Sequence, residues 1–274
     1  MQDARLILDF LSRGRRYSYG PHRSQRVELH KPPGKGPHPV MILIHGGSWR
    51  ERYGKIVMRG VGGDLLRRGW AVWNIEYRRL GGGGGWPETF EDVAAAVDLL
   101  AQVREQIDHE RVSVLGHSAG GQLALWTACR EHLPAKAPGA NPRIHPVQAI
   151  SQAGVVDLAG GYRAWHGGAV KALMGGSPEE LPERYAIADP ICLLPPRMPV
   201  LLVHGSQDAT VTVRLSQEYA QRAKAAGADA QLIEIDGPEG SHRKHIDPRG
   251  AAWAAVVSWL ARPVGSDRSL PDSR

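Results

Sequence analysis

An α/β fold, a mostly parallel central sheet flanked by helices, is what this chain predicts, on two observations. Short apolar runs of strand length alternate with longer stretches that repeat on a helical period, the rhythm that crossover helices on a parallel sheet require. Two of the runs, Val40-Met-Ile-Leu-Ile44 and Val200-Leu-Leu-Val203, are almost continuously apolar, as strands covered on both faces must be. With 274 residues, 42% of them hydrophobic and 23% charged, the chain can bury a full core without disulfide or metal staples. A single domain over 1–264 is expected.

The elements follow in order. Strands are expected at Val40–Ile44, Ala71–Ile75, Val112–Leu115, Val200–Val203 and Gln231–Ile235, with a weaker one at Val147–Ser151. Pro87 opens a helix over Glu88–Glu105, where Val93, Val97, Leu100 and Arg104 keep the helical period. Further helices are read at Ala119–His132, Val213–Ala226 and Gly250–Ala261. The stretch 160–199 is rich in Gly and Pro and breaks the rhythm, so it is either a lid inserted over a site or an ordinary long connection with short helices. Residues 265–274 are polar and are expected to be a disordered tail.

Composition excludes several functions. The 34 Lys and Arg against 28 Asp and Glu give a formal charge of +6, spread thinly and without the aromatic interleaving of a nucleic-acid surface, so no nucleic-acid partner is expected. Leu6–Leu11 is too short for a signal peptide or membrane span, and no other run approaches one, so no membrane association is expected. Cys129 and Cys192 stand alone, without metal-ligand spacing, which predicts no metal site and a reducing, cytoplasmic setting. Oligomeric state is not legible.

Chemistry gathers at strand ends. Gly116-His-Ser-Ala-Gly-Gly121 follows the run Val112–Leu115 and precedes a helical pattern, the strand–turn–helix setting in which Ser118 would be a nucleophile on a sharp turn. A glycine-rich turn is the plain alternative. At the end of Val40–Ile44, His45-Gly-Gly-Ser-Trp49 can offer backbone N–H groups to an oxyanion, or serve simply as a turn. A serine hydroxyl needs an imidazole to take its proton and a carboxylate to hold that imidazole. Asp208, in His204-Gly-Ser-Gln-Asp208 just past Val200–Val203, is the acid candidate, with a helix cap as its other reading. After Gln231–Ile235, His242 is the preferred base and His245 the alternative. Trp49, Trp86 and Trp165 could wall an acyl or aryl pocket or pack in the core. Gly81–Gly85 lacks the Lys-Ser/Thr of a phosphate loop.

These motifs, together with Glu76-Tyr-Arg78, Trp86-Pro87 and Ile246-Asp-Pro248, resemble the α/β-hydrolase fold family over Val27–Leu260. The likeness is nearest to the esterase/lipase branch that includes kynurenine formamidase. The resemblance implies Ser118 as nucleophile, Asp208 as acid, His242 as base, the amides of Gly47, Ser48 and Ala119 as oxyanion hole, and no cofactor. It implies a carboxylesterase acting through an acyl-enzyme on a small ester or amide; arylformamidase action, or a non-catalytic binding protein on the same scaffold, are the alternatives. Ser48, where hormone-sensitive-lipase-like members carry a third glycine, is as in the formamidase-like variants and favours that branch; the chain departs from it in Arg243 and Lys244, which follow His242 where an aromatic residue is common.

Overall fold

The computed structural model describes residues 14–262; the expected 265–274 tail and the Leu6–Leu11 run lie outside them. The described strands are β1 (Arg15–Ser18), β2 (Arg26–His30), β3 (His38–Ile44), β4 (Ala71–Ile75), β5 (Ile107–His117), β6 (Gln148–Gln152), β7 (Val200–Gly205) and β8 (Ala230–Ile235). They form one sheet in the order β1-β2-β4-β3-β5-β6-β7-β8. From β4 to β8 every pair is parallel, and β1 and β2 add an antiparallel edge.

Alternation along the strands builds two cores. Side chains of successive strand residues point to opposite faces, so Val40, Ile42 and Ile44 join the core on one face while Met41 and Leu43 join the core on the other. Helices α1 (Arg59–Arg67) and α8 (Ala251–Leu260) cover the second face through Val61, Leu65, Trp253 and Trp259. The first face carries α2 (Glu88–Asp98), α3 (Ala119–Ala128) and α7 (Arg214–Ala225). Every residue of α3 is buried; its Gln122 accepts from Trp49 Nε1 at 3.3 Å and donates to the Ala188 carbonyl at 3.1 Å, and its Thr127 donates to the Leu123 carbonyl.

The expected strands and helices are all present, with shifted ends. The helix from Glu88 stops at Asp98, tightens into a 3₁₀ turn over Leu99–Gln102, and Val103 is already extended. Arg104 therefore lies outside it, and β5 starts at Ile107. The helix from Ala119 likewise ends at Ala128, followed by a 3₁₀ turn at Arg130–His132. The 160–199 stretch folds into α4 (Leu158–Ala164), α5 (Gly168–Met174), α6 (Pro182–Ala188) and a 3₁₀ turn at Pro190–Leu193. Asp189 and Asp157 accept from the first amides of α4, and the Trp126 indole donates to the Ile187 carbonyl at 2.9 Å, tying the segment to α3. No described helix is long and apolar enough to cross a membrane.

Candidate active site

The carboxyl ends of β3, β5, β7 and β8 release the loops that matter. Ser118 sits between β5 and α3 at φ 56°, ψ −122°, a left-handed conformation that costs an L residue roughly 1–3 kcal/mol and that surrounding contacts must hold. The strands leave no room to relax it. A Cβ at Gly116 would lie 1.9 Å from the Gly120 carbonyl oxygen, and one at Gly120 would lie 2.1 Å from that of Ile44, so only glycine lets this turn close against β3. The Ser118 amide donates to the Gln152 carbonyl at 2.8 Å.

Beyond β7, Asp208 is buried and accepts from the amides of Thr210 at 2.8 Å and Val211 at 3.1 Å through Oδ1. Its Oδ2 lies 2.7 Å from Nδ1 of His242, in the 3₁₀ turn His242–Ile246 that follows β8. Burial raises the carboxyl pKa, but the hydrogen bond from His242, the charge of that imidazole and the two amides outweigh it and hold Asp208 at about 2. With Nδ1 taken, Nε2 is the nitrogen left to serve a hydroxyl. His242 and Ser118 line one cleft of about 390 Å³ together with Gly46, Gly47, Ser48 and Tyr53. Among the described residues the Ser118 hydroxyl makes no hydrogen bond, which is common before substrate tightens such a site.

His245, the other candidate base, is fully buried; its Nδ1 faces the Ser241 carbonyl at 3.2 Å and it does not line the cleft. Trp49, Trp86 and Trp165 are not in the cleft wall either. Trp49 is buried against Gln122, Trp86 meets Phe90 edge-on, and Trp165 packs against the main core. The aromatic wall is instead Tyr53.

The glycine turn after β3 is fixed from below. His45 is buried, with Nε2 2.8 Å from Glu76 Oε1 and its ring stacked on Tyr77 at 4.5 Å, while the Tyr77 hydroxyl donates to the His45 carbonyl at 2.8 Å. Glu76 also accepts from the Lys55 amide and pairs with Arg79, which in turn donates to the Tyr53 carbonyl. Gly47 and Ser48 both take positive φ, 120° and 52°. Among the described residues their amides donate to no backbone carbonyl. Ala119 opens α3, where the first N–H groups of a helix have no partner within it.

Several supporting residues escaped the sequence reading. His117 is buried, and burial lowers its pKa to about 3, so the neutral ring donates Nε2–H to the His242 carbonyl at 2.9 Å. Gln152 donates to the His245 carbonyl at 2.6 Å. His204 accepts from Ser216 and donates to the Val211 carbonyl, steadying the loop of Asp208. The signal was position alone: His117 sits inside the serine motif and His204 inside the acid motif. His117→Phe, which keeps a ring but no donor, is expected to cost about 1–3 kcal/mol by orphaning the His242 carbonyl, with His117→Gln losing less. Urea unfolding of the two variants checks it.

A family model, BD-FAE, matches residues 27–222. The chain belongs to the BD-FAE family. Among curated relatives of this BD-FAE member, a probable isoprenylcysteine alpha-carbonyl methylesterase of Arabidopsis thaliana is 25% identical over 80% of the chain and 49% of its own length. The esterase LipC of Mycobacterium tuberculosis is 25% identical over 81% of the chain and 58% of its own length. The chain thus spans about half the length of these relatives. A phosphonate-inhibited esterase B from Lactobacillus rhamnosis superposes with a TM-score of 0.77 at 20% identity, over 94% of this chain and 90% of that one. The likeness establishes an α/β-hydrolase fold for the BD-FAE chain.

Proposed function

We propose that this chain is a serine carboxylesterase that cleaves small esters through an acyl-enzyme. The observation that carries the reading is the 2.7 Å bond from buried Asp208 to His242, which lines the same cleft as Ser118 on its strained turn. Relatives named esterase and methylesterase support an ester as the substrate.

In this mechanism Ser118 Oγ attacks the ester carbonyl carbon while His242 Nε2 takes the hydroxyl proton. The carbonyl electron pair moves to oxygen, and the amides of Gly47, Ser48 and Ala119 stabilise that oxyanion, each donor of this kind contributing roughly 2.7–4 kcal/mol. Collapse breaks the bond to the alcohol, which leaves with the proton from His242. Water then attacks the acyl-enzyme, gives its proton to His242, and the acid departs as Oγ regains it. Asp208, ionised throughout, holds the imidazole in the tautomer that starts the cycle. Cys129 and Cys192 are free thiols, which suits a reducing compartment such as the cytoplasm.

A fluorophosphonate is expected to label the folded protein once, on Ser118, as read by peptide mass spectrometry. An adduct elsewhere, or none, would refute the proposal. Comparing short acyl esters with N-formylkynurenine separates ester from formamide hydrolysis, since the steps are the same and only the leaving group changes from alcohol to amine.

A further inference from the structure

We propose that Arg243 makes the cleft selective for esters carrying a carboxylate close to the scissile bond. The proposal rests on the serine-esterase reading and names the substrate class of that same site. Arg243 directly follows His242 and lines the cleft beside it, and no Asp or Glu is among the lining residues. The acidic groups nearest in sequence are already engaged: Glu239 and Asp247 pair with Lys244 at 3.5 and 3.6 Å, Asp247 also with Arg249, and Asp236 accepts from Ser206; Asp208, behind the cleft, is paired with His242. Among the described residues Arg243 has no hydrogen-bond or ion-pair partner.

An exposed arginine is unremarkable in itself. This one shares a wall with the proposed nucleophile and base, and its planar fork of N–H donors matches a carboxylate in bidentate fashion. A second cation reinforces it. Arg52 lies over the ring of Tyr53, 4.6 Å from its centre, and Tyr53 belongs to the same cleft. The two arginines come from loops after β3 and β8, which stand on opposite sides of β5 in the strand order. The cleft thus has one arginine in its wall, a second stacked on its Tyr53, and no carboxylate among its lining residues, an arrangement that attracts an anionic substrate and repels a cationic one.

The test compares kcat/KM for neutral and anionic esters of matched shape. Mono-4-nitrophenyl glutarate against 4-nitrophenyl butyrate puts the charge on the acyl side, and 4-acetoxybenzoate against its methyl ester puts it on the leaving group. The wild type is expected to prefer the anionic ester in at least one pair, and that pair says which side of the scissile bond Arg243 reads. Arg243→Gln should lower the anionic-to-neutral ratio about fivefold and Arg243→Glu about tenfold or more, with Arg243→Lys keeping most of it. About 0.5 M NaCl should compress the wild-type preference toward the Gln variant's value. Lys224→Gln, which removes an exposed charge at the end of α7 away from the cleft, should leave the ratio alone. Ratios unchanged by both Arg243→Gln and Arg243→Glu would overturn the assignment while leaving esterase action standing. A panel left wholly unhydrolysed by a protein that takes no fluorophosphonate would overturn the esterase reading and this inference with it.

Discussion

Ser118→Ala is expected to lower turnover of 4-nitrophenyl acetate by about 10⁵- to 10⁶-fold, the scale seen when a serine nucleophile is removed from a working triad. The size of the effect follows from what alanine leaves behind. The backbone at 118 keeps its amide bond to Gln152, and alanine tolerates φ 56° no worse than serine, so the turn and α3 stay in place. Among the described residues the hydroxyl bonds to no protein group, so its loss orphans no buried partner. Unfolding midpoints of the two proteins should therefore agree closely while turnover separates. A variant that keeps more than a small fraction of activity would mean that water is attacking directly, and no acyl-enzyme is on the path.

Asp208→Asn should cost about 10⁴ in turnover without loosening the loop, through the tautomer of His242. Oδ1 accepts from two amides and Oδ2 faces Nδ1. An asparagine must place its carbonyl oxygen toward the amides of Thr210 and Val211, because its NH₂ would clash with those donors. The NH₂ then faces Nδ1, forces that nitrogen to accept, and puts the ring proton on Nε2, where it cannot receive one from Ser118. The pH profile supplies a second reading. Asp208 is held at about 2, and burial lowers His117 to about 3 and His204 to about 4, so none of them titrates between pH 5 and 8. None of the three should therefore shape kcat/KM across that range. Because the native carboxyl lies below its ordinary 3.8, its contribution to stability is whole above that pH and is lost as pH falls toward 2.

What could be read beforehand divides along the physics of range. Val40–Ile44 and Val200–Val203 declared themselves as central strands because burial on both faces imprints a continuous apolar run, a purely local signal. The serine, acid and histidine motifs were legible because each sits directly after such a run. Helix α1 was not seen, since Gly60, Gly62 and Gly63 lower helix propensity by roughly 1 kcal/mol each and Val61 and Leu65 are held by the core on the second face of the sheet. The antiparallel edge was also missed, although β2 alternates buried Val27 and Leu29 with polar neighbours. The bracing by His117, Gln152 and Glu76 joins residues 31 to 125 positions apart, and no window along the chain contains both partners. Choosing His242 over His245 rested on loop position, and the bond to Asp208 is what separates them.

Helix α3 has no face toward solvent: sheet, flanking helices and the 158–193 segment enclose it completely. Diversification cannot proceed there, because any change of volume along 119–128 meets packed neighbours on all sides and shifts the serine at its head. New preferences must be written at the rim, at cleft positions that are not buried, such as Tyr53, Val57, Thr210 and Arg243, where side chains can be exchanged with less disturbance of the interior. The molecule thus separates an inheritance that must be copied from a margin open to experiment, and directed evolution aimed at the margin should harvest altered selectivity at little expense in folding.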